Sequence, residues 1–361
     1  MNDRERAFWV CLHRVEGIGP RRFNRVLQEW GTPEAAWQQT PEELRRVLGK
    51  KPADAFLRIC DEDPMKVFNR VVAEGISMVF LNEEEYPKNL QSIDNPPPVL
   101  YYRGDIRPED RAAVAIVGSR TATPNGLLNA EQIAAELAAQ GVVIVSGLAR
   151  GVDTAAHRGA LAGGGRTIAV LGSGIDIVYP PENEKLAEEI TKTGILLSEF
   201  PLGEGPRQGN FPARNRIISG LSLGVLVVEA ARDSGSLITA GLALEQGREV
   251  FAVPGPIHSE ACYGSNRLIR QGAYLVQSID DILEGLNLMR ITSEQLSAVK
   301  EEFLQKNEEQ VMEVLAKGPQ HIDIIVRDSR MAASEVAGLL VVLELKGLIQ
   351  PMPGKIYRRI R

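Results

Sequence analysis

The stretch Asn210-Phe211-Pro212-Ala213-Arg214-Asn215-Arg216-Ile217-Ile218-Ser219-Gly220-Leu221 carries the densest chemistry of the chain. Pro212 suits the first turn of a helix, where a missing N–H costs nothing. The helix that follows buries Ile217, Ile218 and Leu221 and presents Asn210, Arg214, Asn215 and Arg216 beside Phe211. Free amides at a helix start and guanidinium forks are suited to phosphate. An aromatic beside them stacks a base, so single-stranded nucleic acid is the first ligand to weigh. The competing reading has Phe211 filling a core gap and the arginines paired with carboxylates. Arg214 and Arg216 are two residues apart and cannot share one helix face. One of them is therefore expected to be an internal brace, with Glu229 a candidate partner.

Groups for catalysis are thin. His13, His157, His258 and His321 are scattered, without metal-ligand spacing, so no metal site is expected. Asp153 and Glu229 sit near the presumed rim, where each orients an arginine or acts as a base. Ser119, Ser146 and Ser236 lie near glycines, but no G-x-S-x-G elbow accompanies them. No G-x-x-x-x-G-K-[ST] occurs. The Gly118-Ser119-Arg120 turn lacks G-x-G-x-x-G, and the next strand ends in Ser146 rather than a carboxylate. No nucleotide cofactor is expected, and no catalytic residue is nominated.

The elements that must position these residues read as a doubly wound α/β domain. Apolar runs Val114–Val117, Val142–Val145, Ile168–Leu171, Ile195–Leu197, Val225–Val228 and Val250–Val253 suit strands buried on both faces. Helical segments Ala130–Gln140, Asp153–Leu161, Glu182–Thr191 and Leu237–Gln246 separate them, which means a mostly parallel sheet. Ligands of such folds bind beyond the carboxyl ends of the strands. Gly118-Ser119-Arg120, Ser146 to Gly151 with Arg150, Gly172-Ser173-Gly174 and Ser234-Gly235-Ser236 should all meet there. Residues 1–75 read as short helices, with a helix-hairpin-helix-like turn at Val15–Pro20. Residues 76–288 form the central domain and 289–306 a polar connector. Residues 307–361 read as three helices and a two-stranded wing, a winged helix. Its third helix is largely apolar and offers little to a DNA groove.

The whole composition is that of a globular protein, with a formal net charge of −6. That argues against a broad basic surface but leaves room for a local basic pocket. Cys11, Cys60 and Cys262 form no CxxC and no disulfide framework, which fits a reducing cytoplasm. No signal peptide or membrane-spanning run is visible.

Several motifs occur in order: Gly118-Ser119-Arg120, Ser146-Gly147-x-Ala149-x-Gly151-x-Asp153, Tyr179-Pro180, Phe211-Pro212-x-Arg214-Asn215-Arg216-Ile217-Ile218-x-Gly220-Leu221, Ser234-Gly235-Ser236-Leu237-x-Thr239-Ala240 and Gly264-Ser265-Asn266-x-Leu268-Ile269. Together they resemble the bacterial DNA-processing protein A (DprA, or Smf) family. The resemblance implies an extended Rossmann-like domain with a helical SAM-like N-terminal domain and a C-terminal winged-helix domain. It implies a homodimeric, non-enzymatic protein without a cofactor or membrane attachment. Such a protein binds single-stranded DNA in the cytoplasm, protects it during natural transformation and helps load the recombinase RecA. It carries DNA-binding roles onto Arg120, Phe211, Arg214, Asn215 and Arg216. The family's basic residue upstream of Phe-Pro falls near Arg207 and Gln208, so Arg207 is the candidate. The alternative is a nucleoside-monophosphate-processing enzyme of the lysine-decarboxylase-like group, whose Pro-Gly-Gly-x-Gly-Thr loop is missing from 230–237.

Overall fold

The computed structural model describes residues 1–288, 307–345, 348–352 and 354–360. The chain divides into two compact units, Met1–Met289 and Arg290–Arg361. The connector expected over 289–306, and Pro353 of the expected wing turn, lie outside the described residues.

The N-terminal segment is helical: α1 (Asp3–His13), α2 (Pro20–Trp30), α3 (Pro41–Leu48), α4 (Lys50–Leu57) and α5 (Pro64–Ala73). Local chemistry sets their starts. Asn2 and Glu5 form a capping box, and Thr40 and Asp63 cap α3 and α5 just ahead of a proline. Aromatic packing holds the helices together, with ring centroids 4.9 Å apart for Trp9 and Phe23 and 4.6 Å for Trp37 and Phe56. Of the two arginines after the glycine turn, Arg22 is spent internally. It donates to the carbonyl oxygens of Leu48 (3.0 Å) and Gly17 (2.9 Å).

The rest of the first unit is an extended Rossmann-like domain. Its strands are β1 (Ser77–Phe80), β2 (Val99–Gly104), β3 (Ala113–Val117), β4 (Val143–Ser146), β5 (Thr167–Val170), β6 (Ile195–Ser198), β7 (Gly224–Val227), β8 (Glu249–Ala252) and β9 (Tyr274–Leu275). They pair in the order β1-β2-β6-β5-β4-β3-β7-β8-β9. All pairs from β6 to β9 are parallel, while β1–β2 and β2–β6 are antiparallel. Side-chain alternation feeds two cores. Val114, Ile116, Ile144 and Leu226 face one layer, and Ala115, Val117, Val145 and Val227 face the other. Helices α6 (Lys88–Gln91), α7 (Pro124–Ala139), α8 (Val152–Ala162), α9 (Glu184–Thr193), α10 (Asn210–Leu221), α11 (Gly235–Glu245), α12 (Tyr263–Arg270) and α13 (Ile279–Gly285) complete it. Helix α7 begins six residues before the expected Ala130, because Thr123 caps it and Pro124 opens it.

The chain runs outward from β3 through β4 and β5 to β6. Helix α10 then carries it back across to β7, on the other side of β3. The direction of winding reverses at β3, and the crevice this leaves at the strand ends is where open α/β sheets bind ligands.

In the second unit, residues 307–316 are helical (α14), followed by α15 (Ile322–Ser329) and α16 (Ala333–Leu345). The wing strands β11 (Ile349–Met352) and β12 (Ile356–Arg359) are joined by β10 (Gln320–His321). The expected wing thus has a third strand, too short for any periodicity to reveal. Val311, Leu315, Ile325, Val336, Leu340 and Leu343 form the core of this unit.

Two buried histidines make the first unit acid-sensitive. Burial, with Arg216 nearby, holds His13 down to about 4, and burial with Arg214 nearby holds His157 to about 3, against an ordinary 6.5. The unfolded chain takes up these protons first. The stabilisation from keeping both neutral is complete above pH 6.5 and is lost as pH falls toward about 4 and about 3. Each histidine should cost about 1.4 kcal/mol per pH unit across its window. Thermal melting at stepped pH should show Tm falling below pH 6.5, with a shallower fall for His157→Gln. An equal fall in the variant would count against the assignment.

Candidate nucleic-acid interface

A cleft of about 920 Å³ opens at the carboxyl ends of β3, β4 and β7, where the winding reverses. Its walls include Gly118, Ser119 and Arg120 after β3, Ala149 after β4, Phe211 and Asn215 of α10, and residues 231–236 after β7. Three of the four loops expected to converge do so, while Gly172-Ser173-Gly174 does not line the cleft.

The Gly118-Ser119-Arg120 turn is clamped from both sides. Ser119 N donates to Glu229 O (2.8 Å), and Val152 N donates to Ser119 O (3.2 Å). Gly151 sits at φ +77°, and a Cβ there would lie 2.2 Å from Ser119 O, so only glycine lets α8 start this close. Arg120 emerges from this fixed turn into solvent, with no carboxylate partner among the described residues. Its guanidinium carbon lies 5.3 Å from the Phe211 ring centroid, and Tyr179 flanks the same ring at 5.8 Å. Arginine, two aromatic faces and open space combine a phosphate fork with a stacking surface.

Arg214 does not stand beside them as a free fork. It is only 3% exposed, and Nη1 donates to Gly147 O (2.7 Å) and to Val170 O. Nε donates to Asn215 Oδ1 at 3.2 Å. Gly147 is glycine because an added Cβ would meet this guanidinium at 2.3 Å. Burial pulls Arg214 down to about 10, Asp153 opposes that, and Arg120 adds to it, so the side chain stays cationic at neutral pH. Asp153 accepts from Gly147 N (3.1 Å) and Ala149 N (3.4 Å), and burial raises its pKa despite the Arg214 charge. Arg214 is a positive charge built into the floor, tying β4 to β5.

Arg216 needs the same correction. It is paired with Glu199 beneath the opposite side of α10, not with Glu229. The brace requirement that helix geometry imposes on one arginine is met by both, because α10 packs on the sheet from its second turn onward. Glu229 instead accepts from Thr123 N (2.9 Å) and Thr123 Oγ1 (2.6 Å), holding the start of α7. That use leaves it poorly placed as a general base.

The other expected residues differ in how close they come to the cleft. Arg150 forms an ion pair with Glu182 and lines a small recess shared with Arg120, Tyr179, Phe211 and Arg214. Arg207 pairs with Glu204 at 3.1 Å, and its neighbour Gln208 lines the cleft in its place. Asn210 starts α10 and donates to Gly205 O at 3.4 Å, away from the cleft walls. Ser234 caps α11 by accepting from Ser236 N and meets Ser236 Oγ at 2.8 Å. With Gly235, both still line the cleft. The cleft is not uniformly basic, since Asp153, Asp233 and Glu260 face it along with Arg120, Arg214 and Arg232. Arg232 and Ile238 carry no expectation from the sequence, and Tyr179 enters there only through the Tyr179-Pro180 motif, without a role. A signal existed for Arg232, which lies in a loop after an apolar strand.

Residues 77–287 match the family described as DNA recombination-mediator protein A. Residues 3–64 match a DprA-like N-terminal HHH domain and 297–355 a DprA winged helix domain. Protein Smf of Synechocystis is 34% identical, over 99% of this chain and 100% of that protein. The fold is similar to DNA processing protein A from Streptococcus pneumoniae, with a TM-score of 0.69 and 35% identity over 79% of this chain and 98% of that one. It is also similar to DNA processing protein A from Helicobacter pylori, solved for its single-stranded DNA binding mode. There the TM-score is 0.53 and the identity 35%, over 58% of this chain and 95% of that one.

Proposed function

Since the chain belongs to the DNA recombination-mediator protein A family, we propose that it binds single-stranded DNA in the cleft at the carboxyl edge of its central sheet. The observation that carries this reading is Arg120, exposed without a carboxylate partner among the described residues and set over Phe211 at the cleft mouth. Phosphate docks on Arg120 and on the amide-bearing turns around Ser119 and Ser234. The positive floor supplied by Arg214 supports that charge, and Phe211 takes a base. The strand so held is shielded from nucleases and handed to the recombinase RecA in the cytoplasm during natural transformation. Two copies of the chain act together in that step. The binding is non-enzymatic and needs no cofactor. Among the described residues no cluster of three metal-ligating side chains exists, and no helix is long and apolar enough to cross a membrane.

A mobility-shift titration of the full chain with single- and double-stranded oligonucleotides at several salt concentrations tests the reading. Single strands should bind more tightly, with log K falling by about 0.7 per phosphate neutralised as log salt rises. A preference for duplex, or hydrolysis of the probe, would sink it.

A further inference from the structure

On the loop after β7 the cleft holds a second arginine set against an aromatic ring. The guanidinium carbon of Arg232 lies 3.9 Å from the centroid of Tyr263, closer than Arg120 is to Phe211. Arg232 is exposed, lines the cleft, and has no ion pair or hydrogen bond among the described residues. The position of Tyr263 is fixed by the backbone. It is the first residue of α12, whose next amide, Gly264 N, donates to Ala230 O at 2.6 Å. A Cβ on Gly264 would lie 2.7 Å from that oxygen, so helix and loop are in direct contact. The backbone that carries the ring is therefore held against the loop that carries Arg232.

Resting on the proposed single-strand binding, we infer that Arg232 is a second phosphate contact in this cleft, on the loop after β7 as Arg120 is on the loop after β3. Tyr263 is its positioning residue. An arginine laid on an aromatic face loses rotamer freedom, while its in-plane N–H donors stay uncovered, the geometry that suits a phosphate edge. Asp233 and Glu260 line the cleft too, and neither forms an ion pair with Arg232 among the described residues. They set a cost for any polyanion passing there, which the held guanidinium offsets. The backbone of one strand is thus gripped at two loops of the cleft, with Phe211 and Tyr179 stacking bases beside Arg120.

The test uses the full chain and a fluorescent oligothymidylate titrated at several salt concentrations. Arg232→Ala should weaken binding about tenfold, as loss of one charge-assisted contact does. It should also flatten the salt slope by about 0.7. Tyr263→Leu should give part of that loss, and Tyr263→Phe should restore the parental affinity and slope. If Arg232→Ala leaves both unchanged while Arg120→Ala weakens binding, the inference fails and the proposed function stands. If the unsubstituted chain binds no single strand, both fail. A Tyr263→Phe variant as weak as Tyr263→Leu would overturn the positioning role.

Discussion

Arg120→Ala is expected to weaken single-strand binding by about 10- to 100-fold, the 1.5–3 kcal/mol of a hydrogen bond to a charged group. The salt slope should fall by about 0.7. Melting temperature should hardly move, because this side chain braces nothing and faces solvent. Arg120→Lys should recover only part of the affinity, since an ammonium keeps the charge but loses the fork and the contact with Phe211. Fluorescence anisotropy on matched variants reads both parameters. Parental affinity in Arg120→Ala would remove the central contact from the proposed site.

Arg214→Met should behave in the opposite way, losing fold stability first. It leaves the carbonyls of Gly147 and Val170 without their donor and strips Asp153 of its counter-charge. Breaking such a buried arrangement costs about 3–5 kcal/mol. Urea unfolding should show the midpoint shifted down with little change in slope. Adding Asp153→Asn should restore part of the loss, because the uncompensated carboxylate is then gone. If Arg214→Met unfolds at the parental midpoint but fails to bind DNA, Arg214 is a ligand contact and the floor assignment is wrong.

These contrasting outcomes separate two arginines that the sequence treats alike. Both stand in motifs beside apolar runs, and both were expected to face DNA. The difference lies in what surrounds each. Arg120 leaves a strand end through a turn pinned by Glu229 and Val152, with nothing above it. Arg214 sits one helical turn into α10, where the axis descends onto the ends of β4 and β5 and the glycine at 147 makes room. Arg150 and Arg207 are paired with Glu182 and Glu204, which are 32 and 3 residues away. Sequence proximity finds the second pair and misses the first.

The chain by itself determined the layer architecture and the edge at which ligands meet. Strand runs apolar on both faces, separated by helix-length segments, admit a buried parallel sheet, and glycine-rich turns can lie only at strand ends. Local periodicity and turn chemistry encode those features within windows of a dozen residues. Tertiary structure alone decided which charges remain free. Whether an arginine binds a ligand or braces the fold depends on carbonyls and carboxylates brought from distant strands, and on whether water still reaches it. Packing placed Gly147 and Val170 around Arg214, Glu199 against Arg216 and Tyr263 beneath Arg232, contacts set by the fold rather than by spacing along the chain.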